Sequence, residues 1–223
     1  MEFYQAAWKF IGINILEVVE ESKRNQKVCP GLNATLLSLI PKTSKSYDPQ
    51  GFRPISLCNV IYKIISTLIV KRLKLILPNI ISPEKTWFVE GRQILDGLIA
   101  SQEVVHLLRT KKVSGTMIKL DLSKAYDRLN WEYLRKVLEA FGLCDRWTEW
   151  ISVMISTLVF SILLNGTLSS TFNATRGLRQ GDPLSPFLFI IAANGLGRYI
   201  KKEVQEDRIK GIRVWGNDLP ITH

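Results

Sequence analysis

The stretch that most constrains the fold is Met117-Ile118-Lys119-Leu120-Asp121-Leu122-Ser123-Lys124-Ala125-Tyr126-Asp127. It begins as an apolar, β-favouring run and then meets a carboxylate. Apolar residues flank Asp121 on both sides, as in a strand of a buried sheet. A carboxylate there is costly unless a cation or several hydrogen bonds compensate it. Two readings follow: a strand-end aspartate that caps the next element, or a metal ligand at the end of a strand.

The chain of 223 residues, 46% hydrophobic, can bury one large domain or two small ones. Its net charge of +10 is unevenly spread. Residues 1–30 carry four basic and four acidic side chains, residues 31–113 twelve against five, and residues 114–223 fourteen against eleven. The basic middle third suits an anionic partner such as nucleic acid or nucleotide phosphate, although a basic balance also serves solubility.

Cys29, Cys58 and Cys144 are odd in number, far apart and in no C-x-x-C pair, so neither a zinc ribbon nor a disulfide framework is expected. Reduced thiols imply a nuclear or cytoplasmic home rather than secretion. With no signal peptide ahead of them, the sequons at Asn33, Asn165 and Asn173 read as chance. No apolar run is long enough to span a bilayer; Ile61–Leu77 is broken by Lys63, Lys71, Arg72 and Lys74.

Periodicity places an amphipathic helix from Phe3 to about Val19, with Phe3, Ala7, Phe10, Ile11, Ile15 and Val18 on one face. Thr35–Pro41 reads as a strand and Phe52–Ile55 as an extended segment. Cys58–Leu77 reads as a helix ended by Pro78, and Ile94–Arg109 as another. Asn130 is the expected N-cap of a helix over Trp131–Phe141, closed by Gly142. Asp145–Thr157 is a further helix. Val159–Leu164 and Ser170–Thr175 form a hairpin about Asn165-Gly166. Phe187–Val204 is helical, and Gly211–His223 suggests two short strands. The pattern is α+β, with helices packed on one face of a small antiparallel sheet.

One loop has unusual composition: Arg176-Gly177-Leu178-Arg179-Gln180-Gly181-Asp182-Pro183-Leu184-Ser185-Pro186. Two arginines, a glutamine and two glycines stand directly before a helix N-terminus. Glycines let backbone approach a ligand closely, and a helix N-terminus favours anions. A rigid Gly/Pro turn is the plainer reading.

Leu39-Ile40-Pro41-Lys42, Phe52-Arg53-Pro54-Ile55-Ser56-Leu57, Ile118-Lys119-Leu120-Asp121 through Trp131, and Arg176 through Pro186 occur in the order of the blocks of one family. The chain resembles, over nearly its whole length, the reverse transcriptase domain of plant non-LTR (LINE-type) retrotransposons. The resemblance implies a right-hand polymerase: an N-terminal helix and fingers-like region over 1–113, and a partial palm over 114–223, within one reverse transcriptase domain. It implies an RNA template, a DNA primer, deoxynucleotides and Mg²⁺ as partners, with no membrane. Asp121 would be the catalytic palm carboxylate and a metal ligand, helped by the backbone carbonyl of Leu122. Mg²⁺ prefers few carboxylates plus phosphate oxygens, and two ions about 3.5–4 Å apart clamp an in-line displacement. Tyr126 matches the steric gate that excludes a 2′-hydroxyl; its plainer reading is core packing. Gln180 and Gly181 match the block along the incoming nucleotide and template. Lys42 and Arg53 match the residues that grip the triphosphate, where an Arg fork and a Lys point charge suit phosphate; either could equally be a solvated surface cation.

The chain departs from the family at Lys85 and Trp87, where a glutamine and a small residue are usual, and at Thr67, where a lysine is usual. The family follows a segment like Leu219–His223 with an aromatic-Ala-Asp-Asp turn. The sequence stops at His223, so the expectation is a chain truncated before the catalytic hairpin and inactive alone. The competing readings are a non-catalytic nucleic-acid-binding remnant and a viral RNA-dependent RNA polymerase. Tyr126 argues against the latter.

Overall fold

The computed structural model describes residues 2–45, 47–83, 85, 88–89, 91–112, 114, 118 and 122–210. Asp121, most of the strand expected around it, and the two short strands expected over Gly211–His223 lie outside the described residues.

Helices α1 (Glu2–Ala6), α2 (Trp8–Asn25) and α3 (Pro30–Asn33) lead into strands β1 (Ala34–Pro41) and β2 (Phe52–Cys58). Helices α4 (Val60–Ile80), α5 (Ile94–Lys111), α6 (Ala125–Arg128), α7 (Trp131–Ala140) and α8 (Asp145–Ser156) follow. Strands β3 (Val159–Leu164), β4 (Thr167–Leu168) and β5 (Phe172–Asn173) precede the last described helix, α9 (Ser185–Gln205). Two compact units emerge: Met1–Lys71 with Lys124–Phe189, and Arg72–Ser123 with Ile190–His223.

The first unit holds the sheet, in the order β2-β1-β3-β4, with β5 also on β3. β1 and β2 form an antiparallel ladder from Thr35↔Cys58 to Pro41↔Phe52. β1 and β3 are parallel, Leu37 opposite Ile162. The sheet is therefore mixed: the antiparallel pairing expected from sequence holds for β1–β2 and for β3 with β4 and β5, and the β1–β3 pair departs from it. A parallel pair needs a long crossover, and nothing local in Thr35–Pro41 or Val159–Leu164 announces a pairing made over so long a connection.

The hairpin about Asn165-Gly166 forms as expected, with φ of 49° and 81° at the two turn residues, the signature of a type I′ turn. Its return strand is broken. Leu163 faces Leu168 and Phe160 faces Phe172, so three steps on β3 meet four on the return. The extra residue is a bulge. Ser169 sits at it: its hydroxyl accepts from Ile162 N–H at 2.9 Å, and its own N–H donates to the Ile162 carbonyl.

The core of this unit is apolar and fully enclosed at Ile65, Ile69, Leu134, Leu138, Ile151, Met154, Leu158, Leu184 and Leu188. Each such side chain contributes roughly 1.5–3 kcal/mol on burial. Asn130 caps α7 by accepting from Tyr133 N–H at 2.9 Å, and Gly142 follows the helix at φ 82°. Trp150 on α8 donates through Nε1 to Ser22 on α2 at 3.0 Å. Asn33 is fully enclosed and donates to the Met154 carbonyl and to Thr157 Oγ1. The first sequon is thereby closed to glycosylation in the folded chain.

In the second unit, α4 does not stop before Pro78; it carries the proline inside its last turn and ends at Ile80. A proline there removes one N–H and leaves carbonyls without intrahelical donors. Arg92 supplies donors from outside: its guanidinium reaches the carbonyls of Pro78, Ile81, Ser82 and Lys85 at 3.3, 3.1, 2.7 and 2.8 Å. Asn194 donates to the Ile80 carbonyl at 2.8 Å and accepts from Ser82 N–H. Tertiary capping overrides the local stop signal. Leu73, Leu77, Ile81, Ile190 and Ile191 form the core of this unit. No described helix is long and apolar enough to cross a membrane.

Candidate nucleotide-binding loop

The loop Arg176–Asp182 is held at both ends and in the middle, all within the first unit. At its start it runs backbone to backbone along the segment that bears Tyr126. Gly177 N–H donates to the Leu129 carbonyl, and Leu178 N–H to the Tyr126 carbonyl, each at 2.8 Å. Trp131 Nε1 donates to the Gly177 carbonyl at 2.6 Å. A methyl at Gly177 would come 2.9 Å from the Asp127 carbonyl oxygen, and φ there is 91°. Both sterics and backbone thus require glycine.

At its far end the loop joins the edge of the sheet. Ser56 N–H on β2 donates to the Gln180 carbonyl at 2.7 Å. Gly181 follows at φ 112°, where a Cβ would lie 3.0 Å from the Ser56 carbonyl oxygen. Gln180 and Gly181 are themselves exposed.

Arg179 turns inward. Its guanidinium stacks 3.7 Å over the Tyr62 ring and donates to Thr35 Oγ1 at 3.1 Å. Its Nε lies 3.8 Å from Asp182 Oδ2, with both side chains buried. Asp182 in turn accepts from the Tyr62 hydroxyl at 2.9 Å, from the Ser66 hydroxyl, and from Leu184 N–H at 3.1 Å. Burial, and after it the adjacent Asp182 carboxylate, pushes the Tyr62 phenol well above its ordinary value. Burial likewise raises the Cys58 thiol. The sequence places two arginines in this loop, directly before a helix N-terminus that favours anions. Arg179 is not available to an anion, because it is spent on an internal ion pair.

Tyr126 is half-buried, its ring stacked on Phe189 of α9 with centroids 5.2 Å apart and planes 17° from parallel. That partial burial raises its phenol. Arg53 lies on β2 three residues before Ser56, and is exposed. Lys42 extends the same hairpin just past β1: its N–H donates to the Gly51 carbonyl at 2.8 Å. With Ile40 opposite Arg53, Lys42 and Arg53 fall on one face of the hairpin by the two-residue alternation. The Lys42 ammonium donates to the Gln50 carbonyl at 2.9 Å.

The structure therefore brings Tyr126, Gln180 and Gly181 onto one loop cluster, with Arg53 on the strand to which that loop bonds. Asp121 lies outside the described residues, and Leu122 is exposed. Among the described residues no three His, Cys, Asp or Glu side chains are grouped to hold a metal ion. Sequence reasoning passed over Tyr62, Ser66, Arg179 and Asp182 as a set. The available signal was an opposite-charge pair three residues apart around Gln180-Gly181, and a lone tyrosine in an apolar helix, since a buried Tyr seeks a partner for its hydroxyl.

The family model for Reverse transcriptase (RNA-dependent DNA polymerase) matches residues 40–214, and so covers this loop together with Lys42, Arg53, Asp121 and Tyr126. The chain belongs to the reverse transcriptase family. It is 30% identical over 86% of its length to the Transposon TX1 uncharacterized 149 kDa protein of Xenopus laevis. It is also 30% identical, over 74% of its length, to the Retrovirus-related Pol polyprotein from type-2 retrotransposable element R2DM of Drosophila melanogaster. The chain spans 15% of the length of each of these relatives. A shorter match, 41% identical over 61 residues, joins it to the Uncharacterized mitochondrial protein AtMg01250 of Arabidopsis thaliana, half of which it covers. The chain is a non-LTR reverse transcriptase domain, and its α+β fold of helices on a small mixed sheet accords with the fingers and palm of such a domain.

Proposed function

We propose that this domain binds a deoxynucleoside triphosphate against the Gln180–Gly181 loop and serves RNA-directed DNA synthesis for a plant retrotransposon. The observation that carries the reading is the backbone lock on one loop: Leu178 N–H to the Tyr126 carbonyl at one end, Ser56 N–H to the Gln180 carbonyl at the other. It holds the gate residue and the nucleotide loop in fixed register. Tyr126 excludes a 2′-hydroxyl, Gln180 and Gly181 lie along the nucleotide, and the exposed cations Lys42 and Arg53 take the triphosphate. Residues 1–113 act as the fingers-like part and residues 114–223 as the palm. Asp121 and the Leu122 carbonyl would hold Mg²⁺, which would supply charge neutralisation to the phosphates. The match to the Arabidopsis protein supports a plant source.

The test is calorimetric titration of the chain with dNTP and with NTP in Mg²⁺. The expected result is a preference for dNTP that shrinks in Tyr126→Val and affinity that falls in Arg53→Ala. Equal binding of dNTP and NTP, or dNTP binding untouched by both substitutions, would sink the reading. A second reading, nucleic-acid binding without catalysis, is favoured by the twelve-to-five excess of basic residues over 31–113. It shares the fold and differs in predicting no nucleotide preference.

A further inference from the structure

Beside the nucleotide loop lies a polar cluster to which the reading above gives no role. Tyr62 and Ser66 are fully enclosed, and Arg179 and Asp182 are 3% and 4% exposed. Stability alone does not explain such a cluster, because well-packed apolar residues can serve as well as a buried ion pair. A helix cap does not explain it either. Leu184 N–H at the start of α9 donates to both Asp182 and Ser66, but that cap has no need of the Tyr62 hydroxyl, which reaches the same carboxylate from α4 as the Ser66 hydroxyl does. What distinguishes the cluster is its place in the sequence. Arg179 immediately precedes Gln180, and Asp182 immediately follows Gly181. Two buried anchors thus flank a two-residue exposed span, and the Ser56 N–H fixes that span from a third side.

We propose that Tyr62 and Ser66, acting through Arg179 and Asp182, are positioning residues that set Gln180 and Gly181 for contact with the nucleotide. The proposal rests on the nucleotide-binding reading of this loop. Tyr62 has two functions in it: its ring faces the Arg179 guanidinium and its hydroxyl holds Asp182. Tyr62→Phe keeps the first and deletes the second. With that hydroxyl gone, Asp182 loses one of its fixed donors, and the span between the anchors gains freedom.

The experiment compares the wild-type chain with Tyr62→Phe, Gln180→Ala and the double variant. The readouts are dNTP·Mg²⁺ titration, thermal melting, and hydrogen exchange at the Ser56 amide. Deleting one buried hydrogen bond that fixes the span should make Tyr62→Phe weaken dNTP binding by about five- to tenfold and speed Ser56 exchange. The double variant should lose less than the product of the two single losses, because Tyr62 acts through the span that holds Gln180. Unchanged binding in Tyr62→Phe, or losses that multiply in the double variant, would overturn the positioning role while leaving the nucleotide reading intact. Wild-type affinity in Gln180→Ala, or no dNTP binding by the wild-type chain, would overturn the nucleotide reading and this role with it. Should Tyr62→Phe fail to fold, Ser66→Ala carries the same expectations.

Discussion

At the scale of single residues, the loop's glycines are the sharpest constraint. Gly177 has a positive φ and no room for a methyl group. Gly177→Ala should cost about 1–3 kcal/mol from backbone strain alone, and more from the clash, read as a lower urea midpoint. Gly31→Ala, with nothing within 4 Å, is the control and should change little. The cysteines separate in the same way. Cys29 and Cys144 are exposed and Cys58 is buried, with its thiol raised by that burial. Since the thiolate is the reactive form, two thiols should react quickly with Ellman's reagent at neutral pH. The third should wait for denaturant; three equal rates would contradict the buried position of Cys58.

At the scale of elements, the helix caps and the polar cluster give separable effects. Asn130→Ala should lower stability by about 0.5–2 kcal/mol through loss of the α7 cap, read by chemical denaturation. The cluster predicts an alkaline limit. Cys58 and Tyr62 have folded-state values raised above their ordinary 9.0 and 10.0. Below the first of these both groups keep their protons in either state. As pH rises past those ordinary values, the unfolded chain releases protons that the folded chain retains, so stability falls. The melting temperature should drop as pH rises past 9.0 and on past 10.0, and drop less steeply in Tyr62→Phe. An identical slope in the two chains would remove Tyr62 as a cause.

The same scale marks what could be read from sequence. α7, α8, β1 and the Asn165-Gly166 turn announce themselves through a cap, a period or a turn dipeptide, all of which are local. The bulge at Ser169 and the continuation of α4 through Pro78 do not. Each is decided by a partner far along the chain or across the hairpin: Ile162 in one case, Arg92 and Asn194 in the other. Through family blocks Tyr126, Gln180 and Gly181 were proposed for the candidate site. Their buried supports were not, because an arginine in a loop reads equally well as a phosphate ligand or as half of an ion pair. Nothing in a linear sequence says which way Arg179 turns.

At the scale of the whole molecule, charge and chain order carry the consequences. The basic excess over residues 31–113 predicts salt-sensitive binding of nucleic acid. Each neutralised phosphate should add roughly 0.7–0.9 to the slope of log K against log salt. Charge reversal in that third should flatten the slope more than reversal in residues 114–223; equal effects would refute the assignment. The order of the strands acts on a different process, synthesis. β1 pairs with β3 through Leu37 and Ile162, on opposite sides of most of the chain. At a ribosomal pace of roughly 5–20 residues per second, the nascent β1–β2 hairpin waits many seconds with one face of its ladder unsatisfied. A newborn chain therefore passes through a window in which its neighbours on a polysome offer the same edge, and slowing elongation between the two strands would lengthen it. Yield of soluble protein should accordingly respond to codon choice between β2 and β3, with the folded structure itself unchanged.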